Sequence, residues 1–356
     1  MTKTIPEHRP TRLPVFLASM LAKLYSIGIN HQNQKYDKGT GVTTLDRPVI
    51  SVGNLSTGGT GKTPLVQHVI RTLIDAGYHP AIAMRGYKAQ SGQLSDEQCE
   101  HMNALPGVPI VAQPNRVAGL RALFDSDEGT TIDCVVLDDG FQHRKIARNL
   151  DIVVIDASRP PFLDALLPMG FLREAGESLC RAQMVVVSHA EMVEQEQLGK
   201  LRRWIEQIAP EVQVAVIEHR WLDVFVYEPG QENPVQCAVE ELDGRPVAAL
   251  TAIGHPDAFI AMAQDAGTEI VHRCDRPDHD AYSDEVLREF VQQAEMSGAS
   301  AILTTSKDWT KLQSSIGEGV WGNRLPILVP RLGIHFRSGQ CLFEAQCIKS
   351  LPEPAC

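Results

Sequence analysis

No two of the eight cysteines (99, 134, 180, 237, 274, 341, 347 and 356) are spaced as C-x-x-C. That excludes the usual zinc and dithiol arrangements, and the thiols read as reduced, buried or incidental groups of a cytosolic protein. Basic residues are in deficit as well: 33 Lys and Arg against 44 Asp and Glu give a net charge of −11. A general nucleic-acid binder would carry a basic footprint, so this class is disfavoured. A membrane span of ~20 apolar residues is missing too. The longest candidate, Leu13 to Ile29, is interrupted by Lys23, falls short of that length and is followed by no small-residue cleavage site, so it does not read as a cleavable signal peptide. Internal repeats and low-complexity tracts are absent. What remains is an ordinary globular composition, 43% hydrophobic and 22% charged over 356 residues, enough for two domains with separate cores.

On a helical wheel, Leu13–Ile29 presents a thin polar stripe of Ser19, Lys23 and Ser26, continued by Asn30, and is apolar or small elsewhere. So wide an apolar face needs cover, and either the protein body or a membrane interface supplies it.

The chemistry centres on Pro48 to Thr63, PVISVGNLSTGGTGKT. Val49, Ile50 and Val52 read as a buried strand, and Pro64 to Leu73 has helical periodicity. Strand, glycine turn, GKT and helix are the parts of a P-loop. Ser56, Thr57, Gly58, Gly59, Thr60 and Gly61 would turn backbone N–H groups towards phosphate oxygens. Lys62 would reach the β/γ-phosphates, and the Thr63 hydroxyl would hold Mg²⁺. Ser56 stands where the pattern G-x-x-x-x-G-K-[ST] has its first glycine.

Downstream, apolar runs at 80–84, 108–112, 134–137, 152–155, 184–187 and 212–217 read as strands, with helices at 115–124 and 191–208. The alternation predicts an α/β fold, a P-loop NTPase-like doubly wound parallel sheet. The polar, aperiodic stretch 89–103 reads as a long loop. After Trp221 a β-hairpin is expected from 224–227 and 235–239. Strands at 246–253, 269–274 and 301–305 with helices at 257–266 and 283–296 make a second, smaller α/β unit. The expected division is an N-terminal helix in 1–30, a P-loop domain in 31–220, a two-stranded linker in 221–243 and a smaller domain in 244–356.

Asp138 and Asp139 end an apolar strand, where a P-loop enzyme needs a carboxylate for Mg²⁺. Parallel strands present their C-terminal ends to one crevice, so both aspartates fall near the P-loop, with Gln142 and His143 in the same turn. Arg85, Arg116 and Arg173 lie in loops or just past strand ends, where a planar guanidinium can clamp a phosphate. Asp278-His279-Asp280 offers an Asp-His pair as a general base.

Taken together, VGNLSTGGTGKTP (52–64), RGY (85–87), LDDGFQHR (137–144), LLPMGFLRE (166–174), AIGHPDAF (252–259), PDH (277–279) and TSKD (305–308) resemble the tetraacyldisaccharide 4'-kinases, membrane-bound lipid A kinases of Gram-negative bacteria. Three positions depart from the family: SDEQ (95–98) replaces its G-D-E-P, Asp278-His279-Asp280 its D-H-H, and Gly254-His255-Pro256 its G-N-P. The resemblance implies two α/β domains joined by a two-stranded linker. It implies transfer of the γ-phosphoryl of ATP, with Mg²⁺, to the 4'-hydroxyl of an acylated glucosamine disaccharide 1-phosphate, the lipid A precursor. Lys62, Asp139, Asp96 and His279 would be catalytic, Asp96 orienting His279 as the base. Arg85, Tyr87, Arg116, Gln142, His143, Arg173 and Glu174 would bind substrate. It also tips Leu13–Ile29 towards the cytoplasmic face of the inner membrane. Neither a nucleic acid nor an obligate protein partner is implied.

Two rivals remain. A P-loop switch that reads guanine should carry N-K-x-D, and Ser306-Lys307-Asp308 lacks both the Asn and the spacer. A soluble kinase of a small metabolite would pack the N-terminal helix on its own body.

Overall fold

The computed structural model describes residues 10–11, 13–86, 94–231, 233–254, 256–277, 280, 282–316 and 325–353; of Asp96 and of 314–316 it describes the backbone alone. Two compact units emerge, Met1–His219 with Ile334–Cys356 and Arg220–Gly333.

The first unit begins with helix α1 (Val15–Asp37). Its sheet is built from β1 (Val49–Asn54), β2 (Pro80–Met84), β3 (Ile110–Ala112), β4 (Cys134–Asp138), β5 (Leu150–Asp156), β6 (Met184–Ser188) and the start of β7 (Gln213–Tyr227). The order is β7-β6-β5-β1-β4-β2-β3, and all these neighbours are parallel. β1, β2, β4, β5 and β6 are buried along their whole length, because helices cover both faces. α2 (Lys62–Asp75) covers one face, where Leu65, Val69, Ile70 and Leu73 meet Ile50, Val136 and Ile152. Other covers are α3 (Asp96–Ala104), α4 (Arg116–Phe124) and α5 (Gln195–Ile208), the last packing Leu201 and Ile205 with Val153, Val185 and Phe141.

In the second unit β8 (Val235–Cys237) pairs antiparallel with the far end of β7, as a hairpin. There follow β9 (Pro246–Thr251), α6 (Pro256–Asp265), β10 (Glu269–Asp275), α7 (Asp284–Met296), β11 (Ala301–Thr304), α8 (Ser306–Ile316) and β12 (Ile327–Ser338). β10, β9, β11 and β12 pair in parallel in that order.

Several expectations about the elements need correction. The 89–103 loop ends in α3, whose cap is readable: Ser95 Oγ accepts from the Gln98 N–H at 3.2 Å, the Ser-x-x-Gln start of a capped helix. Strand 212–217 and the first hairpin strand are one element, β7. Residues 334–356 do not belong to the smaller domain. The chain returns through β12 to the first unit, and α9 (Gln340–Lys349) buries Phe343 and Cys347 against the α2 core.

The glycine of V-G-N has a steric reason. A Cβ on Gly53 would lie 2.5 Å from both the Cβ and the backbone N of Phe141, so β1 and the turn after β4 touch here with no room for a methyl. Gly53→Ala should destabilise the protein by ~1–3 kcal/mol through overpacking, read from the urea midpoint. An unchanged midpoint would contradict this packing.

α1 does not show the expected polar face. Ser19 and Ser26 are half-buried, while Lys23 and Asn30 are exposed. Phe16, Met20, Leu24 and Ile27, spaced 4, 4 and 3 apart, form an outward apolar stripe, with Phe16 81% exposed. No described helix is long and apolar enough to cross a membrane.

Candidate active site

β1 and β4 are neighbours with Val52 opposite Asp138, so the turn after each opens at the same sheet edge. After β1 the chain needs backbone conformations that side chains resist: Gly58 has φ 107° and Gly61 φ 72°. Thr60 is buried, and its hydroxyl accepts from Asn54 Nδ2 at 2.9 Å while Ser188 Oγ donates to its carbonyl at 2.9 Å. The loop is thus pinned from β1 and β6. On its other side, Thr57 N–H donates to the Phe171 carbonyl (2.8 Å) and Arg173 N–H to the Leu55 carbonyl (2.7 Å). Lys62 and Thr63 then open α2 directly after the left-handed Gly61.

Asp139, at φ 51°, turns its carboxylate towards the P-loop. Oδ2 accepts from Arg173 Nη1 at 2.7 Å, and Oδ1 lies 3.7 Å from Lys62 Nζ. Burial pushes the Asp139 carboxyl up, but the charges of Lys62, Arg173 and Arg116 outweigh it and hold the group below the usual range. Arg116, almost fully buried at the start of α4, donates to the Asp139 carbonyl at 3.2 Å. Asp138, buried, pairs instead with His101 Nε2 at 3.0 Å.

His101 is a site residue that the sequence pattern does not reveal, because its short polar helix lacks periodicity; the Ser95 cap is the one signal that marks the helix. Burial works against its charge, yet the hydrogen bond and charge of Asp138 win and raise its pKa. Glu97 on the same helix is raised by desolvation and then by Asp138.

Gln142 Nε2 donates to the Asn54 carbonyl (2.8 Å) and to Glu174 Oε1 (3.1 Å), and Arg173 Nη1 donates to Gln142 Oε1 (3.3 Å). Glu174 is fully buried and also accepts from Asn33 (2.9 Å), Ser178 (3.1 Å) and Arg181 (2.9 Å). Glu174 is expected from the resemblance alone, and Arg173 both from it and as a guanidinium able to clamp a phosphate. The structure gives them different partners: Arg173 reaches Asp139, whereas Glu174 ties the loop together through Asn33, Gln142, Ser178 and Arg181. Arg85 follows β2 on the exposed side. Tyr87 and His279 lie outside the described residues, as does the side chain of Asp96.

His143 reports the local field. Burial, then Arg116, Arg148, Lys145 and Arg85, push its pKa down to about 4. The unfolded value is ~6.5, so between those pH values the folded state binds fewer protons and stability falls as pH drops. His143→Gln should flatten the fall in urea midpoint over that window; an unaltered slope would show that the cationic surroundings do not act on this ring.

The residues fit a nucleotide and a hard cation. Asp139 Oδ1 is a buried carboxylate oxygen with no hydrogen-bond donor, and Asp138, Asp139 and Thr63 offer the oxygen ligands Mg²⁺ prefers.

A backbone cradle for phosphate, facing two strand-end carboxylates and an arginine, is built to move a phosphoryl group; the fold and site are those of a P-loop kinase. The chain belongs to the tetraacyldisaccharide-1-P 4'-kinase (LpxK) family, whose profile matches residues 15–329. It is 32% identical over 320 residues to the tetraacyldisaccharide 4'-kinase of Chlorobaculum parvum, covering 85% of each chain. It is 34% identical over 317 residues to that of Anaeromyxobacter sp. (strain Fw109-5), covering 84% of this chain and 83% of the relative. The crystal structure of LpxK from Aquifex aeolicus in complex with ATP superposes with a TM-score of 0.70 at 27% identity, covering 93% of this chain and 98% of the other.

Proposed function

We propose that the protein transfers the γ-phosphoryl of ATP to the 4'-hydroxyl of an acylated glucosamine disaccharide 1-phosphate at the cytoplasmic face of the inner membrane. The observation that carries the chemistry is Asp139 held between Lys62 and Arg173 beside the P-loop. Phosphoryl transfer asks for positioning and charge neutralisation more than covalent chemistry. Backbone N–H groups of 56–61 bind the phosphates, and Lys62 stabilises charge on the group in flight. Thr63, Asp138 and Asp139 would hold Mg²⁺, which when bound neutralises β/γ-phosphate charge. The cationic group of Arg85, Arg116 and Arg173 suits an anionic acceptor. By resemblance alone, His279 accepts the hydroxyl proton and Asp96 supports it. Incubation with radiolabelled ATP and the acylated disaccharide 1-phosphate should give a labelled bisphosphate lipid on chromatography. Label released only as orthophosphate would overturn the reading.

The membrane part rests on α1. Its inner side is tied to the site loop, Tyr25 OH donating to the Arg173 carbonyl (3.0 Å) and Asn33 to Glu174, while its outer side is the stripe of Phe16, Met20, Leu24 and Ile27. An interfacial helix of this kind would hold the lipid headgroup layer near the site. Each large apolar side chain is worth ~1.5–3 kcal/mol when fully buried. A Phe16→Ser/Leu24→Ser/Ile27→Ser variant should therefore move from the membrane pellet to the supernatant with its fold intact. If it still sediments, the stripe is not the anchor.

A further inference from the structure

Behind the P-loop, on the side away from Asp139, lies a cluster the phosphoryl chemistry does not use: His189, Glu191 and His219. His189 follows β6 in the left-handed conformation (φ 54°), Glu191 sits two residues on, and His219 lies within β7. The two imidazoles stack with centroids 4.3 Å apart. Glu191 Oε1 is 3.3 Å from His189 Nδ1 and 3.6 Å from His219 Nδ1, and Glu191 Oε2 accepts the His219 backbone N–H at 3.1 Å. One ligand atom from each residue can be chosen so that all lie within 4.8 Å of one another.

We propose that His189, Glu191 and His219 form a three-ligand site for a borderline divalent transition metal of the zinc class. Metal–ligand bonds of ~2.0–2.1 Å in a tetrahedron put neighbouring ligand atoms ~3.3–3.4 Å apart, close to the two carboxylate–imidazole separations of 3.3 and 3.6 Å. Stacked rings cannot both aim an in-plane lone pair at one ion, so binding would turn one imidazole out of the stack. His219 supplies the independent sign. It is 4% exposed, yet neither ring nitrogen makes a hydrogen bond. A buried imidazole left without a donor or acceptor costs free energy unless something else takes its lone pair. Two imidazoles with one carboxylate favour Zn²⁺, Ni²⁺ or Cu²⁺ over Mg²⁺, which seeks oxygen only. Three protein ligands leave a fourth position for water.

The site would also brace the P-loop. A Cβ on Gly61 would fall 2.4 Å from His219 Nε2 and 3.7 Å from His189 Nε2, so the rings are the wall against which the last glycine before Lys62 turns.

The test uses the full-length protein in detergent micelles, stripped of metal and then titrated with Zn²⁺ and with Co²⁺ in excess Mg²⁺, which keeps the hard-oxygen site filled. One Zn²⁺ per chain should bind at micromolar or lower free metal, and the Co²⁺ adduct should show d–d bands without thiolate charge transfer. His189→Asn, Glu191→Gln and His219→Asn should each weaken binding by ~10-fold or more, with circular dichroism unchanged. Should His219→Asn fail to fold, the two less buried variants decide. Absence of stoichiometric binding, unchanged affinity in His189→Asn and Glu191→Gln, or a thiolate charge-transfer band would overturn the proposal.

Discussion

Lys62→Ala is expected to lower kcat by ~10³-fold or more while the protein stays folded, because it removes a preorganised charge from a site where charge moves during reaction. Lys62 starts α2, and its side chain is only 15% exposed, so its ammonium acts in a partly desolvated place. The fold should tolerate the change. The Lys62–Asp139 contact is a loose 3.7 Å pair, and Asp139 keeps Arg173 at 2.7 Å. Single-turnover transfer from labelled ATP and the urea midpoint separate the two effects. Turnover within a few-fold of the parent would sink the nucleotide assignment.

Much of this site is written locally in the chain. Gly58 and Gly61 sit where left-handed backbone is needed, and Asp138 and Asp139 close an unbroken apolar strand, so short-range pattern sufficed. What pattern could not give is contact at a distance. Arg173 lies 34 residues from the carboxylate it grips, in a loop with no periodicity, and its sequence position marks it as a phosphate clamp without naming Asp139 as its partner. α3 escaped for another reason. It is nine residues long and mostly polar, so its helical period is weak, and only the Ser95 cap betrays it. The return of α9 to the first unit is a matter of topology: Phe343 and Cys347, one turn apart, announce an apolar face without saying which core receives it.

The two aspartates are held differently, and Asp139 is expected to carry the larger share. Asp138 is bound to His101, which keeps one of its oxygens occupied, whereas Asp139 faces Lys62 and Arg173 and has Oδ1 free of any donor. Substitution by Asn isolates the charge from the backbone. Asn adopts the left-handed conformation about as readily as Asp, so Asp139→Asn keeps φ near 51° and the turn intact. Two cations then face each other without the carboxylate between them, and an oxygen suited to Mg²⁺ loses its charge. We expect kcat to fall by ~10²–10³-fold, the scale of a preorganised electrostatic element. Lys62 and Asp139 touch, so they should act as a unit, and Lys62→Ala/Asp139→Asn should be little worse than the poorer single variant. Losses that multiply would mean that the two residues serve separate steps. If Asp139→Asn instead turns over within a few-fold of the parent while Asp138→Asn is inactive, then the carboxylate essential to transfer is the one that His101 holds.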